Sequence, residues 1–393
     1  MMEGMETSES WRRPEKIRDD RAVDTPTVVF RDGCLESLAD QVRTLGASRV
    51  LIVTDPGIVR AGILAEAERI LARGGIAATV FADVHENPTA ADVDAGLAIA
   101  RDFQPEGIVG LGGGSAMDAA KGIDRLLVSG GTLVDYWKAG NPEARVPAEP
   151  LLPLIAIPTT AGTGSEVQSH ALLADTATHR KMAIPNVMPT LTLLDPILTL
   201  SCPPFVTDCA GIDALAHAVE TWVTTRRTPA SDALSRQAFA RILPNLSRVR
   251  AHPQDRDARG ALLRGAMEAG AAIERSMLGA AHAMANPLTA HFGIVHGVAV
   301  GLLLPHVVRF NAEDPAVRAR YDALLPGQDL PATLTACLID AELPVSLATL
   351  GVTDDSIETL ADDAVRQWTL GFNPRPLTRT DLARLYRRAL MSP

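Results

Sequence analysis

Residues 107–121 read GIVGLGGGSAMDAAK. The run 107–111 has the pattern of a strand buried on both faces, as in parallel sheets. It passes directly into Gly112-Gly113-Gly114-Ser115, and a helical pattern follows. Strand, glycine turn and helix in that order are suited to phosphate. Glycines let backbone approach a pyrophosphate, and a helix N-terminus offers free N–H groups and a favourable dipole. A plain tight turn would use the same residues. The stretch is not the G-x-G-x-x-G fingerprint.

Working outward, 27–30 is a short β-branched run and 35–45 has helical periodicity. Residues 49–54, RVLIVT, repeat the two-face apolar strand and end in the turn Asp55-Pro56-Gly57. A helix is expected from there through Leu71, then a strand over 77–81. Thr89, after Asn87-Pro88, is a good N-cap for a helix over 90–100. A further strand over 151–157 ends at Pro158-Thr159-Thr160, and 167–173 and 190–194 read as strands near the cleft. This alternation predicts a doubly wound, Rossmann-like parallel sheet. After Asp195-Pro196 the character changes. From about Cys209 the pattern is helical and rich in Ala, Leu and Arg, with Thr228-Pro229 as a cap followed by proline at the first helical position. The expected plan is a flexible tail over 1–25, in which Trp11 packs against a neighbour if ordered, an α/β dinucleotide-binding domain over 26–205, and an all-α metal-binding domain over 206–393. The boundary falls around Cys202-Pro203-Pro204, and 377–390 reads as a terminal helix.

The helical half carries two histidine-bearing stretches. Residues 211–220 read GIDALAHAVE, with Asp213 and His217 four apart and therefore on one helix face. Residues 280–297 read AAHAMANPLTAHFGIVHG and hold three of the nine histidines, His282, His291 and His296. A lone histidine on an apolar helix is more often a packing residue than a ligand. Two such stretches in one chain with a phosphate-type loop shift that balance. Asp213, His217, His282 and His296 offer three imidazole nitrogens and one carboxylate oxygen, a ligand set for a divalent transition metal with room for a substrate oxygen.

Composition narrows the classes. The 393 residues are 47% hydrophobic, enough for two domains with ordinary cores. A net charge of −10 makes nucleic acid a poor partner. The four cysteines are scattered, with no CxxC, and read as free thiols of a reducing, cytoplasmic compartment. No apolar run reaches the roughly 18–20 residues of a membrane span, and the charged N-terminus lacks the core of a secretory signal.

GIDALAHAVE, the HAMANPL…IVHG stretch, LGGGSAMDAAK and PTTAGTGSE resemble, in order and approximate spacing, the iron-containing (group III) alcohol dehydrogenases. The resemblance runs from about Thr27 to Leu390. It implies Fe²⁺ as the usual ion, with Zn²⁺ also compatible, held by Asp213, His217, His282 and His296. It implies an NAD(H)-linked alcohol dehydrogenase, or aldehyde or ketone reductase, working on a small-molecule substrate as a homodimer or larger homo-oligomer. Gly113, Gly114 and Ser115 would take the pyrophosphate, and Thr159, Thr160 and Thr163 would line the cofactor, with Asn87 and Lys181 as further contacts. Asp55, at a strand end, would accept from a ribose 2′-hydroxyl and repel a 2′-phosphate; a simple turn aspartate is the alternative.

The chain also departs from the family pattern. Asn286 stands where the family commonly has a second histidine, often discussed as a proton relay, and asparagine does not titrate near neutral pH. His291 is the nearby substitute, or else a surface residue. His170 falls at a position that tends to line the substrate pocket. Arg275, seven residues before His282, would share its helix face if the segment were one helix, and would suit an acidic substrate. A reductase or transhydrogenase of hydroxy and oxo acids, similar to maleylacetate reductases or hydroxyacid–oxoacid transhydrogenases, is therefore the second reading.

Overall fold

Apolar, mostly β-branched or leucine-bearing runs form eight strands among the described residues. They are β1 (Thr27–Phe30), β2 (Arg49–Val53), β3 (Ala77–Phe81), β4 (Gly107–Gly112), β5 (Leu154–Pro158), β6 (Ala171–Ala174), β7 (Lys181–Ile184) and β8 (Leu191–Leu194). The structure is a computed structural model that describes residues 25–137, 143–145, 150–176 and 181–391. The expected tail, with Trp11, lies outside the described residues but for Thr25.

Six strands form one sheet in the order β1-β8-β5-β4-β2-β3. Every neighbouring pair is parallel. Side chains alternate between two cores. Val50, Ile52, Val109, Leu111, Ile155 and Ile157 lie in one, with apolar residues of α1 (Leu38–Thr44), α2 (Pro56–Arg60) and α3 (Ile63–Arg73). Leu51, Val53, Ile108 and Leu154 lie in the other, with residues of α4 (Ala90–Phe103) and α5 (Gly114–Ser129). A sheet covered on both faces by helices is the expected doubly wound arrangement.

Some details differ from expectation. The helix expected from Pro56 to Leu71 is broken at Gly62, whose φ of 77° lies in the left-handed region. β8 is an internal strand of the main sheet, between β5 and β1, with all four residues buried. The strand expected over 167–173 begins only at Ala171 and pairs antiparallel with β7, which the sequence reading did not contain. The reason lies on α5. The ammonium of Lys121, with no exposed surface, donates to the carbonyls of Ser165, Gln168 and His170 at 2.7, 2.9 and 2.9 Å. Carbonyls taken by a lysine are not available to a ladder.

The rest is helical: α6 (Pro204–Val223), α7 (Pro229–Ala251), α8 (Arg256–Arg275), α9 (Ala280–Phe292), α10 (His296–Asn311), α11 (Pro315–Leu324), α12 (Leu330–Asp340), α13 (Ile357–Ala364) and α14 (Arg379–Met391). α7 starts as the sequence indicates, with Thr228 accepting from the Ser231 N–H at 3.0 Å and Pro229 in the first turn. The chain divides into two compact units. One runs to Thr159 and resumes over Ser165–Ser201; the other joins Thr160–Gly164 to everything from Cys202 on. The short excursion is explained by glycine. A Cβ built on Gly270 of α8 would stand 2.6 Å from the Gly164 Cα, and one on Gly162 would stand 3.0 Å from the Ala210 Cα. Backbone packs on backbone there, and any side chain would wedge the loop off the helices. Gly270→Val is therefore expected to destabilise the helical unit by about 1–3 kcal/mol, the usual cost of overpacking. Thermal unfolding would read this as a lowered Tm, and an unchanged Tm would mean that the loop is not seated on α8.

Candidate metal site

α6 is apolar almost all round, so its few polar residues are buried with it. Asp213, His217 and Glu220 fall at i, i+4 and i+7 of that helix and share one face. They are 5%, 4% and 4% exposed. Carboxylates so deep in a helical core need partners, and the partners come from α9 and α10. Asp213 Oδ1 is 3.3 Å from His282 Nε2, 3.5 Å from His217 Nε2 and 3.8 Å from His296 Nε2. The His217 and His282 rings stack with centroids 4.8 Å apart, and the His296 ring is tilted 5.5 Å from that of His282. Four donor atoms from three helices thus converge. Ligand atoms of Asp213, His217 and His282 all lie within 4.8 Å of one another.

Glu220 organises the approach of α9. One carboxylate oxygen accepts from the Ala281 N–H at 2.7 Å and the other lies 2.5 Å from His282 Nδ1. A carboxylate only accepts, so Nδ1 donates its proton to Glu220, which leaves Nε2 as the nitrogen turned toward Asp213. Gly279 precedes α9 and supplies no cap of its own. Glu220 and Asn373, which accepts from the Ala280 N–H at 3.3 Å, cap the helix instead. A Cβ on Gly279 would come within 3.1 Å of both. α10 begins at His296 itself, and its next residue meets α6 backbone to backbone: a Cβ on Gly297 would lie 2.1 Å from the Cys209 carbonyl oxygen. Only glycine lets α10 approach closely enough to bring His296 to Asp213.

The electrostatics follow from this packing. Burial pushes Asp213 up, but His217, His282 and His296 override it and hold the carboxyl well below the usual carboxylate range. Burial pushes His217 down to about 4 despite Asp213, so its imidazole is neutral at pH 7. Burial also works against a charge on His282, yet Glu220 and Asp213 outweigh it and raise that group to about 9. A permanent carboxylate facing three imidazoles calls for positive charge at its centre. Three nitrogens and one oxygen are the donor types that hold a divalent transition ion.

Other residues singled out in the sequence are not part of this convergence. His291 lies nine residues along α9 from His282, roughly 13 Å along the axis, and its Nε2 pairs with Asp363 at 2.7 Å on the surface. Asn286 donates to Gln367 Oε1 at 3.0 Å. Arg275 does not share a helix with His282, because α8 ends at Arg275 and α9 begins only at Ala280. It is buried, and its Nη1 donates to the Ala271 carbonyl at 3.1 Å.

In the α/β unit, Gly112 ends β4 with φ 148°, Gly113 caps α5, and Gly114 and Ser115 form its first turn. Thr159 donates its N–H to the Gly112 carbonyl at 2.9 Å, which ties the two loops together. Thr160 and Thr163 belong to the excursion that packs with the helical unit. Asp55 is a helix cap, its Oδ1 accepting from the N–H groups of Gly57 and Ile58 at 2.7 and 3.2 Å. Its Oδ2 lies only 3.0 Å from where a Cβ on Gly112 would stand, so the carboxylate also borders the glycine loop. Asn87 is exposed with φ 54°. Lys181 opens β7, and His170 lies 3.2 Å through Nδ1 from Ser169 Oγ. Sequence reading missed Glu220, Asn373 and Lys121. Glu220 had a signal, because it lies two turns from Asp213 on the same face. Asn373 and Lys121 had none.

Comparison with known proteins covers nearly the whole chain. The profile for the iron-containing alcohol dehydrogenase family matches residues 25–196, and that for the C-terminal part of the same family matches 207–390. Alcohol dehydrogenase 4 of Schizosaccharomyces pombe is 34% identical over 372 residues, covering 92% of this chain and 87% of that protein. A 1,3-propanediol oxidoreductase structure superposes with a TM-score of 0.88 at 31% identity, over 94% of this chain and all of that one. A sulfoacetaldehyde reductase from Bifidobacterium kashiwanohense, solved in complex with NAD⁺, superposes with a TM-score of 0.86 at 28% identity, over 94% of this chain and 98% of that one.

Glu220→Gln keeps the side chain's shape but leaves one accepting oxygen for two N–H donors. It is expected to weaken Zn²⁺ affinity by about 10–100-fold, the usual effect of losing an orienting partner. Competition with a chelating dye measures this, and an unchanged affinity would show that Glu220 does not orient His282. Gly297→Ala, which forces α10 off α6, should lower affinity as well, with His296 drawn away from the other three.

Proposed function

The chain belongs to the iron-containing alcohol dehydrogenase family and is an oxidoreductase acting on CH–OH groups; from that premise we propose that it interconverts an alcohol and its aldehyde or ketone with NAD(H), using a divalent ion held by Asp213, His217, His282 and His296. The observation that carries this reading is the meeting of the Asp213 carboxylate with three imidazole Nε2 atoms at 3.3–3.8 Å. Fe²⁺ is the family's usual ion, and Zn²⁺ suits the same donors. When bound, the ion supplies Lewis acidity to a substrate oxygen, and the nicotinamide exchanges hydride with the carbon that bears it.

The chain's own residues prepare both events. Asp213 contributes the fixed negative charge and His217 a neutral nitrogen. Glu220 holds the His282 ring in one tautomer, so that substrate binding does not have to order it. The short first turn of the helix at Gly113-Gly114-Ser115 offers N–H groups to a pyrophosphate, free of side chains at two of three positions. Asp55, bordering that loop, favours a ribose hydroxyl over a 2′-phosphate, which supports NAD(H) over NADP(H). Thr159, Thr160, Thr163, Asn87 and Lys181 are proposed cofactor contacts on the strength of the motif match. His170, Asn286 and His291 are proposed as substrate-side residues. For His291, the Asp363 pair favours a surface role.

Arg275, which suggested an acidic substrate, ends α8 and donates to a carbonyl of its own helix. That placement withdraws the argument from Arg275 for an acidic substrate. All four cysteines are free thiols, in keeping with a reducing, cytoplasmic setting. No helix among the described residues is long and apolar enough to cross a membrane. A homodimer or larger assembly is proposed from the family, and light scattering would measure it.

Protein stripped with EDTA is expected to lose NAD⁺-dependent alcohol oxidation and to regain it with Fe²⁺ or Zn²⁺. His282→Ala should fail to retain metal and lose turnover by about three orders of magnitude or more, since the ion's geometry and its retention go together. Full activity in metal-free protein, or stoichiometric metal in His282→Ala, would remove the assignment.

A further inference from the structure

A cavity of ≈ 260 Å³ in the helical unit lies between α10 and α12. Its walls follow from helical spacing. Leu302, Pro305, His306 and Arg309 fall at i, i+3, i+4 and i+7 of α10 and so share one face. Ala332, Thr335, Ala336 and Ile339 line it from α12 at the same spacing. Two alanines one turn apart leave the space that larger side chains would fill. His306 comes ten residues after His296, roughly 15 Å along the axis of α10, so the cavity is apart from the metal site. None of its lining residues is acidic. Thr335 gives its hydroxyl proton to the Pro331 carbonyl at 2.9 Å. Arg309 is exposed and makes no ion pair among the described residues. Arg388 of α14 is also exposed and without an ion pair among them. Burial and these two guanidiniums push His306 down to about 4. In a chain of net charge −10, positive charge thus gathers beside an aliphatic wall. Ile339, 59% exposed, carries that wall out to the surface.

We propose that this cavity is a binding site for a short aliphatic carboxylate, its tail between α10 and α12 and its carboxylate on the Arg309 guanidinium. The guanidinium fork meets a carboxylate with two parallel N–H···O bonds, and it keeps its charge at any physiological pH. The tail covers Leu302, Pro305 and Ile339 and removes their apolar surface from water. Size sets the length of the chain. A water's share of liquid volume is about 30 Å³, so the cavity takes roughly eight non-hydrogen atoms, the number in hexanoate. A cation of the same length would meet Arg309 and Arg388 as like charges. An anion without a tail would leave the aliphatic wall uncovered. The site is distinct from the one that holds the reacting oxygen and does not depend on the functional reading above.

The test is calorimetric titration of the metal-loaded full chain with hexanoate, acetate and hexylamine. Hexanoate is expected to bind once per chain, and about tenfold or more tighter than acetate, which lacks the tail, or hexylamine, which lacks the negative charge. Arg309→Gln should weaken hexanoate by about 10–100-fold, the range of a hydrogen bond to a charged group. Ala336→Phe, which fills the cavity and keeps the charges, should abolish binding. Arg309 is exposed, so its variant tests the charge without disturbing the core. Equal binding of hexanoate and hexylamine overturns the site, as does hexanoate affinity unchanged in Arg309→Gln. Binding that disappears when EDTA removes the metal, and survives Arg309→Gln, would place the acid on the ion and overturn the site too. Absence of binding in the parent also overturns it; a smaller oligomer for Arg309→Gln in light scattering would then give the patch to a second copy of the chain.

Discussion

A buried carboxylate among three imidazoles is the constraint on which the helical unit depends. Asp213 is 5% exposed and lies on an otherwise apolar helix. An ionised group in that position would be costly if its surroundings did not answer it. The answer comes from His217 one turn along the same helix and from His282 and His296 at the starts of two others. The arrangement is pulled together by contacts that do not themselves touch Asp213. Glu220 caps α9 and holds His282, and Gly297 lets α10 press against the α6 backbone. Both tolerate little change for the same reason, that they set the distance between helices.

The α/β unit shows a comparable economy of parts. The helix that begins at the glycine loop carries Lys121 two turns later. That ammonium holds three backbone carbonyls of the segment 165–170, and the Ser165 hydroxyl links it to Asp118, which Ser165 Oγ donates to at 2.6 Å. Burial pushes the Asp118 carboxyl up, against the neighbouring ammonium. A buried charged cluster serves here as a brace between a helix and an irregular segment. It ties the segment from Ser165 to His170 to α5 within this unit.

Asp55 and Arg275 show how much a residue's type leaves open about its place. An acid at a strand end is equally good as a ribose ligand and as a helix cap. Asp55 caps α2 with one oxygen and borders the glycine loop with the other, so the two readings were never exclusive. For Arg275 the premise failed. Seven residues is nearly two turns only if the helix continues, and Ser276–Gly279 interrupts it. That break is also what allows α9 to start beside Glu220, so the element that removed Arg275 from the face of His282 is the one that placed His282 in the site.

The sequence by itself determined the change from an α/β to a helical pattern, the parallel strands and which residues are candidate donors. Each is a local property: two-face apolar runs of five or six residues, a glycine turn between strand and helix, and an Asp–His pair four residues apart. It left undetermined whatever depends on distance between segments remote in the chain. Glu220 and His282 are 62 residues apart in sequence and 2.5 Å apart in space. Gln367 meets Asn286 across 81 residues, and Lys121 reaches carbonyls 44 to 49 residues on. Periodicity carries no information about such pairs, because side-chain spacing along one element says nothing of which element faces it. Only packing decided that β8 is internal to the sheet, that Thr160–Gly164 packs with the helices, and that His291 pairs with Asp363 at the surface while His296 closes the site.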